Sequence, residues 1–169
     1  MEKICKLTGI TTIFCIIVSL LCGCASMRPP IIRTSDDNIS NYRYFVVAPI
    51  DNYVSKIGVY NGKSGVYVEK EEAIDPAPII SGILLKNGFI PITEVTPNNV
   101  KETMIVNFGE TDRRSVNLGY SIEVTIQFVS AYSKSLICSC TAEGQGWTEA
   151  DDVRIAIQRA LKPLFDSDE

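Results

Sequence analysis

The 169 residues of this chain include no histidine, so the side chains considered for catalysis or metal binding are its cysteines and carboxylates. The chain therefore lacks histidine-ligated zinc, Ser-His-Asp and Cys-His catalysis, and a histidine general base. The formal charge of −4 argues against nucleic acid as the main partner, since phosphate neutralisation needs a cationic face. Arg113-Arg114 is the only basic pair, and we expect it on a loop.

Paired carboxylates can support hydrolysis, and the candidates here are Glu69, Glu71, Glu72, Asp151 and Asp152. They fall in a charge run or at the start of a helix, where solvation and the helix dipole account for them. The acidic group around Asp151 also lacks the loop of oxygen ligands that Ca²⁺ needs. The sequence thus predicts a protein that is not an enzyme, with no catalytic residue, metal or cofactor.

The stretch EGQGWT, from Glu143 to Thr148, places a Gly-x-Gly turn between a strand and a helix. Helix N-termini can bind phosphate, but the carboxylates of the first helical turn would repel it here. We expect the two glycines to allow a tight turn from strand to helix. Trp147, the only tryptophan, is expected to seal the helix against the sheet.

The N-terminal segment has the pattern of a signal peptide. Lys3 and Lys6 precede a run without charge from Leu7 to Met27, whose apolar centre ITTIFCIIVSLLC is short for a membrane span. A retained transmembrane anchor is the alternative, since the whole run approaches the ~20 residues that a span needs. Both interpretations leave Lys3 and Lys6 cytoplasmic and place the domain across the membrane.

Leu21-Cys22-Gly23-Cys24 resembles the lipobox of bacterial lipoproteins, which has a branched residue at −3, a small one at −1 and cysteine at +1. Cys24 fits this pattern, whereas Cys22 would place Leu21 at −1. The resemblance implies a signal peptide over residues 1–23 and a mature chain that begins at Cys24, carrying palmitate or similar acyl chains that anchor it to the membrane. No acidic residue follows Cys24 directly, which implies the outer membrane, facing the periplasm.

Cys138 and Cys140 are the cysteines that remain in the mature domain. They lie in LICSCTAEG, which alternates like a strand and places both side chains on one face. Positions two apart on a strand are separated by ~6.5 Å, which is long for a disulfide. We expect two small buried residues on a core face, with a disulfide as the alternative.

Residues 24–41 are rich in proline, serine, asparagine and aspartate and are predicted to form a flexible tether. Residues 42–169 are predicted to form a single α/β periplasmic domain. Its opening stretch YRYFVVAPI is typical of a central strand. Two β-rich runs, 57–60 and 66–69, flank Asn-Gly and predict a hairpin that brings Tyr60 near Tyr67. We expect it to project as an arm, with a place in the main sheet as the alternative.

Asp75-Pro76 predicts the start of a helix that ends at Asn87-Gly88. Further strands are predicted over 89–93 and 103–108, followed by a long alternating strand and a returning strand that contains the cysteines. In the long strand Ile122, Val124, Ile126 and Phe128 face inward. A final amphipathic helix is predicted to begin at Thr148. The expected fold is an α+β two-layer sandwich, with a mixed or mostly antiparallel sheet, two helices on one face and a hairpin insertion.

Over residues 42–165 this arrangement resembles a loose group of envelope lipoproteins. The group includes the curli-secretion lipoprotein, activators of penicillin-binding proteins and the amino-terminal domain of the Tol periplasmic protein. The stretches that carry the resemblance are YRYFVVAPI, LLKNGFIPITEV and the closing strand–turn–strand–Gly-x-Gly–helix segment. It implies assembly or scaffolding through another envelope protein or self-association. The alternatives are a module that binds a glycan or lipid through Tyr60, Tyr67 or Tyr120, and a carboxylate-based hydrolase.

Overall fold

The computed structural model describes residues 27–48, 55–61, 66–72, 75–116 and 119–166, with the backbone alone for 55–61 and 66–72. The strands are β1 Ile31–Thr34, β2 Tyr44–Val47, β3 Ser55–Asn61, β4 Val66–Glu72, β5 Ile90–Pro91, β6 Thr103–Val116, β7 Gly119–Ser130 and β8 Leu136–Gly144. Six of them form the main sheet, in the order β1-β8-β7-β6-β2-β5. Helix α1 covers Pro76–Lys86 and helix α2 covers Glu149–Phe165.

The sheet is mixed, as predicted. Strands β6, β7 and β8 form an antiparallel meander, and β1 adds antiparallel to β8 at one edge. Strand β2 runs parallel to both β6 and β5, so the predicted central strand lies inside the sheet. The predicted α+β two-layer sandwich is confirmed.

One face of the sheet and both helices enclose the core. The inward positions of β7 are Ile122, Val124, Ile126 and Phe128, all of which are fully or almost fully buried. Across the strands Ile126 lies opposite Phe108 and Cys140, so each row of the core crosses three strands. Burying such side chains contributes roughly 1.5–3 kcal/mol each relative to leaving them exposed.

The caps of both helices agree with the sequence analysis. Asp75 accepts a hydrogen bond from the backbone N–H of Ala77, and Pro76 occupies the first turn of α1. The helix stops at Asn87, and Gly88 follows with φ 87°, a left-handed conformation that glycine adopts without steric cost. Thr148 caps α2 by accepting from the N–H of Asp151.

Strands β3 and β4 form the predicted hairpin. They pair only with each other, as a two-stranded sheet separate from the main one, and their register sets Tyr60 opposite Tyr67. No helix in the described ranges is long and apolar enough to cross a membrane.

Three local predictions were wrong. Residues 31–34, assigned to the flexible tether, pair with β8 as an edge strand; four residues beside two prolines are too few to show a periodicity. Arg113-Arg114 lies inside β6, which extends to Val116, and not on a loop. The strand predicted over 89–93 is reduced to Ile90–Pro91 at the edge of the sheet, with one further backbone hydrogen bond from the Ile92 N–H to the Phe45 carbonyl.

Candidate functional site: the Arg28 end and the polar sheet face

One end of the sheet carries a β-bulge at Thr111, the N-terminal segment at Arg28, the end of β8 at Glu143 and the start of α2 at Glu149. We call it the Arg28 end. The register between β6 and β7 shifts between Glu110 and Asp112, so that Thr111 is an extra residue. Its hydroxyl lies 2.9 Å from Glu123 Oε1 on the face away from the helices. Because side chains alternate along a strand, the extra residue places Glu110 and Arg113 together on the helix side.

Arg113 links the sheet to the start of α2. Its Nε and Nη2 donate to the two carboxylate oxygens of Glu110 at 2.8 and 3.0 Å. Nη2 also donates to Glu149 Oε1 at 2.7 Å, and the guanidinium lies 4.9 Å from the centre of the Tyr120 ring. The hydrogen bonds to Glu110 and Glu149 raise the pKa of Arg113. This cluster fixes the first residue of the helix against the sheet.

Glu143 is the buried carboxylate of the opposite face, with only 1% of its surface exposed. Arg114 donates to it from Nε at 3.1 Å and from Nη2 at 2.9 Å. Arg28 donates from Nε at 2.5 Å and from its backbone N–H at 2.8 Å. The Arg114 and Arg28 hydrogen bonds lower the pKa of Glu143 to about 2. Glu143 is therefore ionised, and both of its carboxylate oxygens accept hydrogen bonds from Arg28 and Arg114.

Arg159, on α2, also binds the segment at Arg28 and the end of β8. Its Nη1 donates to the backbone carbonyl of Glu143 at 2.5 Å, and its Nη2 to the carbonyl of Arg28 at 2.9 Å. The N–H, the carbonyl and the side chain of Arg28 are thus all bound. The segment that follows the proposed lipidation site is fastened to the domain from this residue onward.

The Gly-x-Gly turn is structural, as predicted. A Cβ on Gly144 would lie 1.9 Å from the carbonyl oxygen of Asp152 and 2.5 Å from the nitrogen of Ala156, so strand and helix backbones meet there. A Cβ on Gly146 would lie 2.5 Å from Asp151 Cβ, and the Gly146 N–H donates to the Asp152 carboxylate. Burial raises the pKa of Asp152. Together with Glu149 and Asp151 it forms the predicted acidic first turn.

The predicted role of Trp147 was wrong. Its side chain is 99% exposed and does not seal the helix against the sheet. Strand and helix backbones already meet at Gly144, so this junction is closed without an indole. The residue instead stands on the surface of the Arg28 end.

The sheet face away from both helices is polar and rich in hydroxyl groups. Thr125 Oγ1 lies 2.8 Å from Thr141 Oγ1 and 3.2 Å from Thr111 Oγ1, in a row across three strands. These threonines line an open groove of about 260 Å³ together with Ile31, Arg33, Glu123 and Ser139. A second groove of about 220 Å³ continues past Asn107, Phe108 and Gln127.

A larger pocket of about 330 Å³ lies at the other end of β1 and β8. It is lined by Thr34, Ser35, Asp36, Asp37, Asn38, Ile39, Ile137, Cys138 and Leu164. Beside it, the Tyr42 hydroxyl donates to Asp37 Oδ2 at 2.5 Å, which lowers the pKa of Asp37. None of these lining residues is aromatic.

The cysteines of β8 lie on the core face, as predicted. Cys138 is 2% exposed, Cys140 is fully buried, and both are free thiols. The contact with Cys138 and burial both raise the pKa of the Cys140 thiol. Protonated, buried thiols are poor nucleophiles.

The other residues proposed from the sequence are dispersed. Cys24 lies outside the described residues, and Glu69, Glu71 and Glu72 belong to β4, of which the backbone alone is described. Tyr120 contacts Arg113 and Glu149 and does not line the grooves above. Asp151, in the first turn of α2, accepts a hydrogen bond from the Thr148 hydroxyl and pairs with Arg154. Within the described ranges, no cluster of three or more histidine, cysteine or acidic side chains could hold a metal ion.

The sequence analysis missed Arg28 and Glu143 as partners. Glu143 follows a strand pattern of apolar inward residues and carries a charge at an outward position, which is ordinary for an exposed face. Only the approach of the N-terminal segment buries it. That approach joins residues 115 positions apart and leaves no local signal.

No protein family model matches the chain, and no curated protein sequence does. Solved structures with a similar backbone are known. PelC from Paraburkholderia phytofirmans, a dodecamer, is 14% identical and aligns at a TM-score of 0.46 over 82% of this chain and 99% of PelC. A point variant of that dodecamer gives 0.48, at 14% identity over 83% of this chain and 100% of its own. A PDZ domain protein from Parabacteroides distasonis is 9% identical, with a TM-score of 0.47 over 85% of this chain and 37% of its own.

Proposed function

We propose that the chain is an outer-membrane lipoprotein that is anchored through acyl chains on Cys24 and acts in envelope assembly or scaffolding through protein–protein contacts. The observation that carries the proposal is the β3–β4 arm, whose strands pair only with each other. A lone two-stranded hairpin is marginally stable in water. Its open edges suit strand addition to another protein, which would complete the sheet.

A non-catalytic role is supported by the state of Glu143 and Glu149, two of the three carboxylates that are buried in the described residues. Glu143 is bound by Arg28 and Arg114, and Glu149 by Arg113. A general acid or base must be free to exchange a proton with substrate. Here the arginines bind these carboxylates, and the ion pairs hold the strands and the helix together.

The anchor is tested by replacing each cysteine of the lipobox separately. Cys24→Ala should abolish incorporation of labelled palmitate and leave unprocessed precursor, whereas Cys22→Ala should be processed and acylated normally. The measurements are radiolabelling and the mass of the mature N-terminal peptide. Normal acylation of Cys24→Ala would contradict the proposed anchor.

The partner contact is tested by photocrosslinking in living cells from position 60 or 67 of the arm. Position 134 is a matched control, because Lys134 is exposed in the β7–β8 turn, outside the helix that contacts β3. We expect a defined crosslinked protein, or a second copy of the chain, from the arm positions only. Capture of nothing from the arm under any growth condition would contradict the proposal.

Binding of a small glycan is a second candidate, favoured by the row of Thr111, Thr125 and Thr141 hydroxyls in the open groove. Such groups can exchange hydrogen bonds with sugar hydroxyls. Envelope oligosaccharides should then shift the NMR signals of these threonines, and Thr141→Val should remove the shift. An unchanged spectrum at millimolar sugar would exclude this candidate.

A further inference from the structure

Trp147 is a large apolar side chain that contacts almost nothing in the described fold. It is 99% exposed, between the Gly144 turn and the first residue of α2. Single exposed apolar residues are common on protein surfaces, so the exposure alone identifies no partner. The partner is indicated by the position of Trp147 relative to the N-terminal segment.

Arg28 fixes where the lipid-bearing residue can be. Its backbone N–H and Nε are bound by Glu143, and its carbonyl by Arg159. Cys24 precedes it by four residues, which span at most about 14 Å when fully extended. If Cys24 carries acyl chains, the Arg28 end of the domain is held close to the membrane surface.

The length of four extended residues also limits how far Trp147 can lie from Glu143. It follows Glu143 by four residues, so its Cα lies no further than about 14 Å from that of Glu143. The tryptophan and the N-terminal segment therefore leave the domain at the same end. The opposite end carries the β7–β8 turn, where Tyr132 is 63% exposed.

The chemistry of indole fits this location. Tryptophan concentrates at the membrane–water interface, where its ring meets apolar chains and its N–H meets polar headgroups. The arginines at this end are already paired with carboxylates, Arg28 and Arg114 with Glu143 and Arg113 with Glu149, so attraction to anionic lipid is not the driving force. The membrane surface that suits Trp147 is therefore one of neutral, zwitterionic lipid headgroups.

We propose that Trp147 is a second membrane contact, which inserts at the headgroup level and holds the domain with its Arg28 end toward the bilayer. This inference rests on the proposed acylation of Cys24. The polar sheet face and the β7–β8 turn then remain in the aqueous phase.

The test uses the acylated full chain in phosphatidylcholine vesicles. Trp147 is the only tryptophan, so its fluorescence reports this position alone. We expect a blue-shifted emission, quenching by lipids brominated near the headgroup, and loss of most quenching by aqueous iodide. Cys24→Ser protein, which is not acylated, should keep full iodide quenching with the same vesicles.

A relocated reporter is the matched control. Trp147→Phe combined with Tyr132→Trp places the only tryptophan at the opposite end, where iodide should quench it fully and brominated lipid should not. This comparison distinguishes a local contact from a general effect of vesicles on the domain.

Two outcomes would overturn the inference alone. The first is acylated protein that floats with vesicles while Trp147 stays open to iodide and untouched by brominated lipid. The second is protection of Trp147 that depends on protein concentration and not on lipid, which would assign the residue to contact with a second copy. Absence of acyl chains by mass spectrometry would overturn the proposed anchor, and this inference with it.

Discussion

Arg28 and Glu143 lie 115 positions apart in the sequence and are joined by two hydrogen bonds, one from the backbone N–H and one from Nε of the arginine. Arg114 binds the same carboxylate from β6. A carboxylate at the end of β8 thus binds both the N-terminal segment and β6, which lies two strands away in the sheet. The free energy of this arrangement depends on the charge of one buried group.

Replacing Glu143 by glutamine should destabilise the fold. The amide keeps the shape but loses the charge, and it leaves two arginines without their buried partner. We expect the free energy of unfolding to fall by roughly 3 kcal/mol at pH 7, as is typical when one partner of a buried pair is removed. Glu123→Gln is the control, because Glu123 is more exposed and lies 3.5 Å from Arg28, so its loss should cost less than about 1 kcal/mol.

The same carboxylate gives the wild-type protein a distinct pH dependence. The pKa of Glu143 in the fold is about 2, below the ordinary 4.5 for glutamate. Its contribution is therefore fully present above pH 4.5 and is lost as the pH falls toward 2. Urea unfolding of wild type and Glu143→Gln between pH 2 and 7 should show a difference that shrinks over this window. A constant difference would contradict the assignment.

Gly144→Ala should be among the most damaging single-methyl changes in the domain. The new Cβ would lie 1.9 Å from the Asp152 carbonyl oxygen, and neither backbone can move without separating strand from helix. We expect a loss of about 3 kcal/mol or more, measured by chemical denaturation. Gly82→Ala, inside α1 with nothing within 4 Å, should instead stabilise by about 0.5–1 kcal/mol. Equal effects of the two changes would contradict the close approach.

Local patterns predicted those elements whose signals lie in adjacent residues. The Asp75-Pro76 start, the Asn87-Gly88 stop and the alternation in β7 are caps and periodicities contained in one segment. The β3–β4 hairpin was also predicted, because Asn-Gly between β-rich runs specifies the turn as well as the strands.

The features that escaped prediction depend on distant parts of the chain. Ile31–Thr34 becomes a strand because β8 offers a free edge. The junction that Trp147 was expected to seal is closed by backbone contact at Gly144. Arg113 and Arg114 lie within β6 and face opposite sides, each toward a carboxylate from another element. No window of neighbouring residues contains those pairings, so the Arg28 end could not be assembled from the sequence.

Arg113→Met should separate the start of α2 from the sheet. Methionine retains much of the side-chain length but leaves Glu149, which is 4% exposed, without its cation. We expect a loss of about 2–4 kcal/mol, and a smaller loss for Arg113→Lys, which keeps the charge but not the forked geometry. Arg154→Met, which breaks an exposed pair with Asp151, should cost less than about 1 kcal/mol. Thermal unfolding of the four proteins gives the comparison, and equal shifts for Met at 113 and 154 would contradict it.

Cys138 and Cys140 should remain reduced and unreactive while the protein is folded. The contact with Cys138 and burial raise the pKa of Cys140, so little thiolate is present there; the same contact lowers the pKa of Cys138, which is protected by its burial. A thiol reagent should label both cysteines only in denaturant, and the intact mass of the isolated protein should show two free thiols. Replacing both by alanine should keep the fold and cost about 1–2 kcal/mol, since only two sulfur-sized volumes are lost from the core. A mass lower by two hydrogens in the native protein would show that the strand accommodates a disulfide.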